Sequence, residues 1–216
     1  MARRLLVTLS GGTCSGKNYL LSQMVGAGFQ RVVSTTTRPP RDGEVEGVEY
    51  YFISDEESRK IEAEDGFAEL MQYGAFRYGV TKAEFDDKLA KGACVLIVEP
   101  KGMESYTEYS RHIGAEHFSV FVDTSYLIRE GRFQQRFFED FKKLEAGGYD
   151  AAGAYRFLVN YGSRHALLQE ENGWGKAYKF NLLVDGTRSA VDNTDLIKDH
   201  VRWLSPSPDF ARWMRG

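Results

Sequence analysis

The sequence predicts an α/β domain with a central parallel sheet flanked by helices, and three observations support this. An apolar run at residues 5–9 ends in the glycine-rich stretch GGTCSGK, and a helix-like pattern follows at once. A second apolar run, CVLIVE at residues 94–99, has the composition of a strand buried on both faces. Strand and helix patterns alternate along the rest of the chain, as they do in domains with a parallel sheet.

The apolar patterns divide the chain into alternating strands and helices. The predicted strands are residues 5–9, 29–34, 49–53, 67–73, 94–99, 117–122 and 180–184. The predicted helices are residues 17–25, 54–64, 81–92 and 193–204, together with two helices within 127–171.

Turn and cap residues set several of these boundaries. Ser54 precedes Glu57 by three residues, and Thr81 stands in the same relation to Glu84. This is the capping-box spacing that begins a helix. The Gly-Gly pair at 147–148 interrupts a long charged and aromatic segment, so we expect two helices joined by a flexible turn there.

Composition excludes several classes of protein. The chain has 216 residues, of which 42% are hydrophobic and 27% charged, which suits one compact domain with a small inserted lobe. A net charge of −3 with interleaved signs gives no general attraction to nucleic acid or to an anionic membrane. Cys14 and Cys94 are too few for a disulfide framework or a zinc site, and we expect buried reduced thiols. We expect a cytoplasmic protein, because the chain shows no signal-peptide pattern or spanning segment. We expect an extended tail in which Trp213 packs locally.

The stretch after the first strand has the spacing of a phosphate-binding loop. Gly11, four residues, Gly16 and Lys17 match it, while Asn18 stands where Ser or Thr is usual. Glycines let successive N–H groups converge on phosphate oxygens, and the following helix adds the positive end of its dipole. Lys17 brings a cation to the phosphates. The predicted ATP-binding residues are Gly11, Gly12, Thr13, Cys14, Ser15, Gly16, Lys17 and Asn18.

Asn18 and Glu99 are the candidate magnesium ligands. A hydroxyl at position 18 would normally coordinate the ion, and an amide oxygen is also a hard ligand that sits one atom further out. We therefore expect magnesium to be held by Asn18 and Glu99, directly or through water. Alternatively, Asn18 caps the helix and the metal site is lost, or Glu99 is a solvent-facing carboxylate at a strand end.

A second anion site is predicted in the loop that carries Arg38, Arg41 and Tyr50. Arginines bind a phosphate bidentately, and a tyrosine hydroxyl adds a further hydrogen bond. The alternative is a solvated basic turn. Two phosphate sites imply two phosphorylated substrates, and hence transfer of a phosphoryl group between them.

Residues 6–102 resemble guanylate kinase, and beyond Lys101 the likeness is loose. The matching segments are GGTCSGK, STTTRPPRDGEVEGVEYYF, FAE at 67–69, YG at 78–79 and LAKG at 89–92. The resemblance implies the phosphate-loop kinase fold in one domain. Its parts would be a core (1–34, 82–126 and 172–216), an inserted monophosphate-binding lobe (35–81) and a helical lid (127–171).

The resemblance also implies an activity: transfer of the γ-phosphate of ATP to GMP, dGMP or a related purine nucleotide, with Mg2+. No nucleic-acid or membrane partner is expected, and the protein would be a monomer or a homodimer. The implied substrate-binding residues are Ser34, Arg38, Arg41, Tyr50, Glu69, Tyr78, Val80, Thr81 and Glu99. The implied catalytic residues are Lys17, Arg38, Arg132 and Arg164.

Several positions depart from the family pattern. Glu69 would accept hydrogen bonds from the ring N–H and exocyclic amine of guanine, but Val80 stands where a hydroxyl would bond O6, with Thr81 as a substitute. Ile97 stands where the family carries an acid. Arg129 and Arg136 are further lid candidates, although arginines at helical spacing are also typical of a solvated face.

Three alternatives remain open. Val80 and Asn18 favour a kinase of the same chemistry that acts on a different or modified deoxynucleotide. A kinase of phosphorylated sugars is disfavoured by Glu69 and Tyr78, because a sugar needs no base pocket. A non-catalytic guanylate-kinase-like interaction module is disfavoured by the intact Gly11, Gly16 and Lys17.

Overall fold

The computed structural model describes residues 4–41 and 43–202. The strands are β1 (Arg4–Ser10), β2 (Gln30–Arg31), β3 (Thr35–Thr36), β4 (Tyr51–Phe52), β5 (Phe67–Tyr73), β6 (Phe76–Thr81), β7 (Cys94–Ile97), β8 (Ala115–Asp123) and β9 (Leu182–Asp185). The helices are α1 (Lys17–Gly26), α2 (Asp55–Ala63), α3 (Lys82–Lys91), α4 (Met103–His112), α5 (Tyr126–Gly147), α6 (Ala151–Glu170), α7 (Trp174–Ala177) and α8 (Ala190–Val201), and a 3₁₀ turn spans Pro100–Gly102.

A five-stranded parallel sheet in the order β2-β7-β1-β8-β9 forms the centre of the described chain. Successive side chains of β1 point to opposite faces. Leu5, Val7 and Leu9 pack into the core formed with α1 and α8, whereas Leu6 packs with α3 and α4 on the other side. Because both faces are covered, the centre of β1 is apolar except for the buried Thr8, whose hydroxyl lies 2.9 Å from Nε2 of His117. The predicted α/β fold with a central parallel sheet is confirmed.

A second, four-stranded sheet has the order β4-β3-β6-β5 and lies within residues 35–81. We did not predict β6. It pairs antiparallel with β5, and at Gly79 a Cβ atom would lie 2.5 Å from the carbonyl oxygen of Glu69. This close approach requires glycine, and a glycine inside the segment weakened its strand pattern.

Helices α5 and α6 form an antiparallel hairpin with a small aromatic core of its own. Phe133 and Tyr161 are buried there, and the rings of Phe137 and Tyr161 lie 4.9 Å apart between centroids. The Gly-Gly pair lies at the connection, where Gly148 has φ 71°. The prediction of two helices joined at this pair is confirmed.

The first strand after α1 is shorter than predicted, for an identifiable reason. The N–H of Val32 still bonds to the Val95 carbonyl, but the N–H of Val33 donates to a carboxylate oxygen of Glu84 at 2.9 Å. The chain thus leaves the sheet after Val32. The Glu84 carboxylate accepts from the Val33 N–H and the Tyr51 hydroxyl, so it does not bond to the backbone of Thr81. Of the second predicted capping box, only the bond from the Glu84 N–H to the Thr81 hydroxyl forms.

Other boundaries differ from expectation. The capping box of Ser54 and Glu57 is present in full, as predicted. The strand expected at 49–53 is confined to β4, and α4 and α7 were not predicted. Helix α8 begins before residue 193, because Ser189 accepts a hydrogen bond from the Asp192 N–H. Its predicted end at 204 and the predicted tail lie outside the described residues. In the described part of the chain, no helix has the length and apolar character to cross a membrane.

Candidate active site

The phosphate loop, residues 11–17, turns sharply between the end of β1 and the start of α1. A Cβ atom at Gly11 would lie 2.7 Å from the carbonyl oxygen of Val122, so the loop fits against β8 only with glycine there. Gly16 has φ 105° as the N-cap of α1, a conformation that glycine adopts without steric penalty. The loop therefore brings its N–H groups next to the N-terminus of α1, an arrangement that binds anions.

The middle of this loop is a strained turn. The Ser15 N–H donates to the Gly12 carbonyl at 3.1 Å, and Cys14 has φ 61°. A left-handed third residue is typical of a type II turn, where glycine is usual. The Ser15 hydroxyl is buried and has no hydrogen-bond partner among the described residues. Cys14 is half-buried, whereas Cys94 is buried as predicted, and both are free thiols.

Lys17 is held inside the loop by its own backbone. Its Nζ donates to the carbonyl oxygens of Gly11 at 2.7 Å and Gly12 at 2.8 Å. Burial lowers the pKa of Lys17 to about 8, while the carboxylates of Glu171 and Glu99 act in the opposite direction. The ammonium group is therefore charged at neutral pH and only weakly solvated, which strengthens its attraction for an anion.

The phosphate loop opens onto a cavity of about 910 Å³ that it shares with the predicted acceptor residues. The predicted site residues that line this cavity are Gly11, Thr13, Cys14, Lys17, Asn18, Ser34, Arg38, Arg41, Tyr50, Glu69, Tyr78, Glu99 and Arg164. Ser15, Gly16 and Arg132 instead line a second cavity of about 660 Å³ on the other side of the loop. Both predicted anion sites thus face one space.

Arg38 is built into the wall of the acceptor pocket (Arg38, Arg41, Tyr50, Glu69 and Tyr78). It is 8% exposed, and its Nη2 donates to both oxygens of Glu44 at 2.9 Å. Burial alone would raise the pKa of Glu44, but hydrogen bonds from the Arg41 N–H and from Arg38 lower it. The Arg38 guanidinium carbon lies 5.5 Å from the Tyr50 ring centre, and its buried Nε has no partner among the described residues. That N–H is a donor available to a ligand.

Glu69 lies at the far end of the same pocket. Its Oε2 accepts a hydrogen bond from the Tyr106 hydroxyl at 3.0 Å. Burial raises the pKa of Glu69, the negative charge of Glu99 acts in the same direction, and the hydrogen bond from Tyr106 opposes both. Tyr106 lies on α4, which was not predicted, and its hydroxyl orients the Glu69 carboxylate. Glu69 was predicted from the sequence, but this hydrogen-bond partner was not.

The arginines of helices α5 and α6 are divided between two tasks. Arg132 donates to the carbonyl oxygens of Cys14 at 3.2 Å and Gly186 at 3.1 Å, so it supports the loop backbone. Arg136 and Arg164 line the shared cavity. Burial lowers the pKa of Arg164, and the nearby charges of Arg41 and Arg136 add to this effect. Arg41, Arg136 of α5 and Arg164 of α6 therefore repel one another across a space that suits an anion. Arg136, one helical turn after Arg132, was missing from the predicted catalytic set.

Two predicted substrate-binding residues lie away from the cavity. Val80 is fully buried and packs with Phe85 and Leu89, because β6 contacts α3 at this point. The Thr81 hydroxyl accepts from the N–H of Glu84 at the start of α3. Buried packing keeps the Val80 side chain out of the base pocket, whereas the helix cap uses the Thr81 hydroxyl only as an acceptor, so the role of Thr81 stays a prediction.

The residues at the cavity fit a magnesium ion that keeps most of its water ligands. Asn18 and Glu99 are both exposed and line the cavity, and each offers an oxygen atom. Ile97 also lines it and supplies no ligand. Among the described residues, no group of three or more His, Cys, Asp or Glu side chains could enclose a metal. Magnesium is commonly bound through one or two protein oxygens together with substrate phosphates, which this donor set matches.

Comparison with known proteins connects this site to one family. A family model described as guanylate kinase matches residues 3–144. The chain is 31% identical over 174 residues to a guanylate kinase from Latilactobacillus sakei, covering 78% of this chain and 83% of that protein. It is 35% identical over 101 residues to one from Chlamydia muridarum, covering 45% of this chain but only 49% of that relative.

A solved structure agrees with the fold. The crystal structure of guanylate kinase from Anaplasma phagocytophilum has a TM-score of 0.64 and 18% sequence identity, covering 96% of this chain and 89% of that one. At this identity the likeness concerns the fold alone. Its coverage of 96% of this chain extends past residue 144, where the family model ends.

Proposed function

The chain belongs to the guanylate kinase family and is an ATP-dependent nucleoside monophosphate kinase, and we propose that its acceptor is GMP or dGMP. One observation carries this proposal: Lys17 of the phosphate loop and Arg38, Arg41 and Tyr50 of the acceptor pocket line the same cavity. A phosphoryl group can pass directly between two substrates only when both anion sites face one space.

The donor phosphates are proposed to bind on the N–H groups of residues 14–17. Lys17 lies beside these groups and supplies the positive charge. The second cavity, lined by Asn18, Tyr19, Thr187 and Arg188, leaves room for the nucleoside on the other side of the loop. ATP would thus straddle the loop, with its terminal phosphate towards the shared cavity.

The acceptor phosphate is proposed to bind Arg41, Tyr50, Tyr78 and the unpaired Nε–H of Arg38. Nη2 of Arg38 donates to both Glu44 oxygens and Nη1 donates to the Pro39 carbonyl at 2.6 Å, so two nitrogens fix the plane of the guanidinium before a ligand arrives. A side chain that is already ordered loses little conformational entropy on binding. The acceptor is therefore aligned by a group that needs no rearrangement.

Glu69 is proposed to select the base. A carboxylate accepts two parallel hydrogen bonds, and the N1–H and 2-amino group of guanine are two adjacent donors. Adenine has no N1–H, so it offers this carboxylate no such pair. The Tyr106 hydroxyl holds Glu69 at the cavity wall in the orientation this contact needs.

Transfer then requires alignment and charge neutralisation. The attacking group is a phosphate oxygen that is already anionic, so no general base is needed. Lys17, Arg136 and Arg164 are proposed to neutralise the charge on the phosphoryl group as it passes. Magnesium, when bound by Asn18 and Glu99 with the donor phosphates, would supply further neutralisation. Closure of the lid would exclude water, which otherwise competes as acceptor.

We further propose that the division into core, lobe and lid describes the moving parts, and that the enzyme acts in the cytoplasm as a monomer or homodimer. ATP and a nucleoside monophosphate are its proposed ligands. We propose no nucleic-acid or membrane partner, because interleaved charges and a net charge of −3 give no general attraction to either.

A panel of acceptors tests the base assignment. Purified enzyme is incubated with ATP, magnesium and one of GMP, dGMP, AMP, dAMP, CMP or UMP, and ADP formation is measured. We expect turnover with GMP and dGMP that exceeds the others by at least about a hundredfold, since a site built for hydrogen bonds rejects analogues that lack them. Glu69→Gln is the matched variant and should lose this preference. If GMP and dGMP are both inert while another acceptor reacts, the guanine assignment fails and the kinase assignment remains.

A further inference from the structure

Three successive residues of the phosphate loop, Thr13, Cys14 and Ser15, have backbone groups held by side chains from elsewhere in the chain. The Glu171 carboxylate accepts from the Thr13 N–H at 2.5 Å and from the Thr13 hydroxyl at 2.8 Å. Arg132 donates to the Cys14 carbonyl at 3.2 Å, and the Thr124 hydroxyl donates to the Ser15 carbonyl at 2.9 Å. The loop's shape is therefore fixed from outside at its most strained part.

Glu171 is itself fixed by a buried partner. Arg129 and Glu171 are 3% and 9% exposed, and Nη1 of Arg129 lies 3.3 Å from Oε2 of Glu171. Arg129 also donates to the carbonyls of Thr124 at 3.2 Å and Leu168 at 3.1 Å. A buried carboxylate beside a phosphate site would repel the ligand if it were unpaired, and the guanidinium offsets that charge.

The pair stands at the base of the lid. Arg129 is in the first turn of α5, and Glu171 follows the last residue of α6. The two ends of the helical hairpin thus meet at Thr13. Any change in their separation is transmitted to the loop through the two hydrogen bonds on that residue.

The turn has a physical need for such support. Cys14 is a non-glycine residue in the left-handed region, and this conformation persists only where the surroundings fix it. If the Thr13 peptide were released, Cys14 would relax towards a negative φ. The N–H groups of residues 14–17 would then no longer converge on one point.

We propose that Glu171 is a positioning residue for the triphosphate donor: held by Arg129, it fixes the Thr13 peptide so that Cys14 stays left-handed and the loop keeps its anion-binding form. The proposal rests on the proposed function in one respect, that the loop binds the phosphates of ATP. It assigns a role to a carboxylate at the wall of the shared cavity that acts through the loop backbone, and it couples the ends of the hairpin to donor affinity.

The first test replaces the ion pair with apolar side chains of similar volume, in Arg129→Met/Glu171→Leu. Such replacements of a buried pair are often neutral for stability, so the fold is expected to survive. Calorimetry with ATP and magnesium should show affinity weakened by about tenfold, while GMP affinity stays within about twofold. Glu170→Gln, a charge change at the exposed neighbour, is the matched control and should bind ATP as the parent does. Unchanged ATP affinity in the double variant would overturn the proposal.

The second test asks whether strain at Cys14 is the reason for the support. Cys14→Gly removes the steric penalty at φ 61°, so the loop should need Glu171 less. In the Cys14→Gly background, the apolar pair replacement should weaken ATP binding by no more than about threefold. A purely structural role of the pair would lower the melting temperature and leave the ATP penalty the same in both backgrounds, which would refute the positioning role.

A milder variant keeps the test decisive if the pair replacement does not fold. Thr13→Val removes the hydroxyl contact and leaves the buried pair in place, and we expect ATP affinity weakened by about threefold. Parent-like affinity in this variant would contradict the proposal. If the parent protein itself bound no ATP, the donor assignment would fall together with the inference, whereas parent binding with unaffected variants would overturn the inference alone.

Discussion

The phosphate loop and the acceptor pocket are both proposed to bind phosphate but are built in opposite ways. The loop presents backbone N–H groups, and its support comes from Glu171, 158 residues beyond Thr13. The acceptor pocket presents side chains, and its central arginine is held by Glu44, six residues along the same segment. One site is assembled by the whole fold and the other by a short stretch of chain.

This difference determines what can damage each site. A backbone site loses affinity when any distant support shifts, because many N–H groups must converge at once. A side-chain site loses affinity mainly when one of its own residues changes. We therefore expect substitutions in the lid base to affect ATP, and substitutions within the lobe to affect the acceptor.

The largest effect is expected for Lys17→Ala. Removing the cation should lower kcat by about a thousandfold, in the upper range for loss of one preorganised group at a transition state. Burial destabilises the charged form of Lys17, so removal of its side chain should not lower the melting temperature. ADP formation and thermal unfolding measure the two quantities, with the exposed Lys176→Ala as control. Equal turnover in Lys17→Ala and the parent would remove Lys17 from the mechanism.

Arg38→Ala tests whether the acceptor pocket is self-contained. The variant leaves the partly buried Glu44 without its charged partner, so we expect the KM for GMP to rise by about a hundredfold. Arg41→Ala, at an exposed position, should raise the same KM by about tenfold without a change in melting temperature. If either variant raised the KM for ATP as much as that for GMP, the separation of the two sites would be wrong.

The pH dependence of donor capture should differ from that of the acceptor. Lys17, with a pKa of about 8, loses its charge above that pH, so kcat/KM for ATP should fall by about tenfold per unit beyond it. This loss is not unfolding. Because the pKa is lower in the folded than in the unfolded chain, the unfolded state binds more protons between pH 8 and 10.5, and stability rises there.

A Lys17→Arg variant is the control for this fall in kcat/KM above pH 8 (the descending limb of the pH profile), since its guanidinium stays charged throughout the range. If the descending limb survives unchanged in this variant, another group causes it. The limb should be absent from the KM for GMP, whose predicted ligands are arginines, tyrosines and Glu69.

The smallest effect is expected at Tyr106. Tyr106→Phe removes the hydroxyl that donates to Glu69, and we expect the KM for GMP to rise by about fivefold, the size of one neutral-donor hydrogen bond. The KM for ATP should not change. Tyr109, on the same helix, makes no hydrogen bond to Glu69 among the described residues, so Tyr109→Phe serves as control. An equal effect of the two variants would mean that α4 acts through packing rather than through this bond.

The contrast also explains what the sequence could predict. The phosphate loop and the arginine loop are encoded within short windows, so their residues and spacing identified both sites. The shared cavity follows from the fold class, because ligands of parallel sheets gather at the carboxyl ends of the strands. Lys17 and Arg38 could therefore be placed from the sequence pattern, whereas Glu69 was placed only by the resemblance to guanylate kinase.

The remaining features depend on packing between distant segments. Whether Val80 faces the pocket or the core is decided by its contact with Phe85 of α3, and not by the strand pattern. Arg132 was predicted to be catalytic, but α5 contacts the loop at this residue, which therefore supports the loop backbone. Arg136, one helical turn further on, lines the shared cavity instead. Glu171 carried no local signal, since a carboxylate at the end of a charged helix is ordinarily solvated.

The aromatic hairpin has a consequence for local stability. Helix α5 buries Arg129 and Phe133 and α6 buries Tyr161 and Leu168, whereas the central sheet is packed on both faces. Regions with little buried apolar surface unfold locally at lower free energy than the global transition. Amide hydrogens of the hairpin should therefore exchange with deuterium as one cooperative group, well before those of β1 and β8. Bound ATP should slow that exchange selectively if the hairpin reports on the nucleotide through its base.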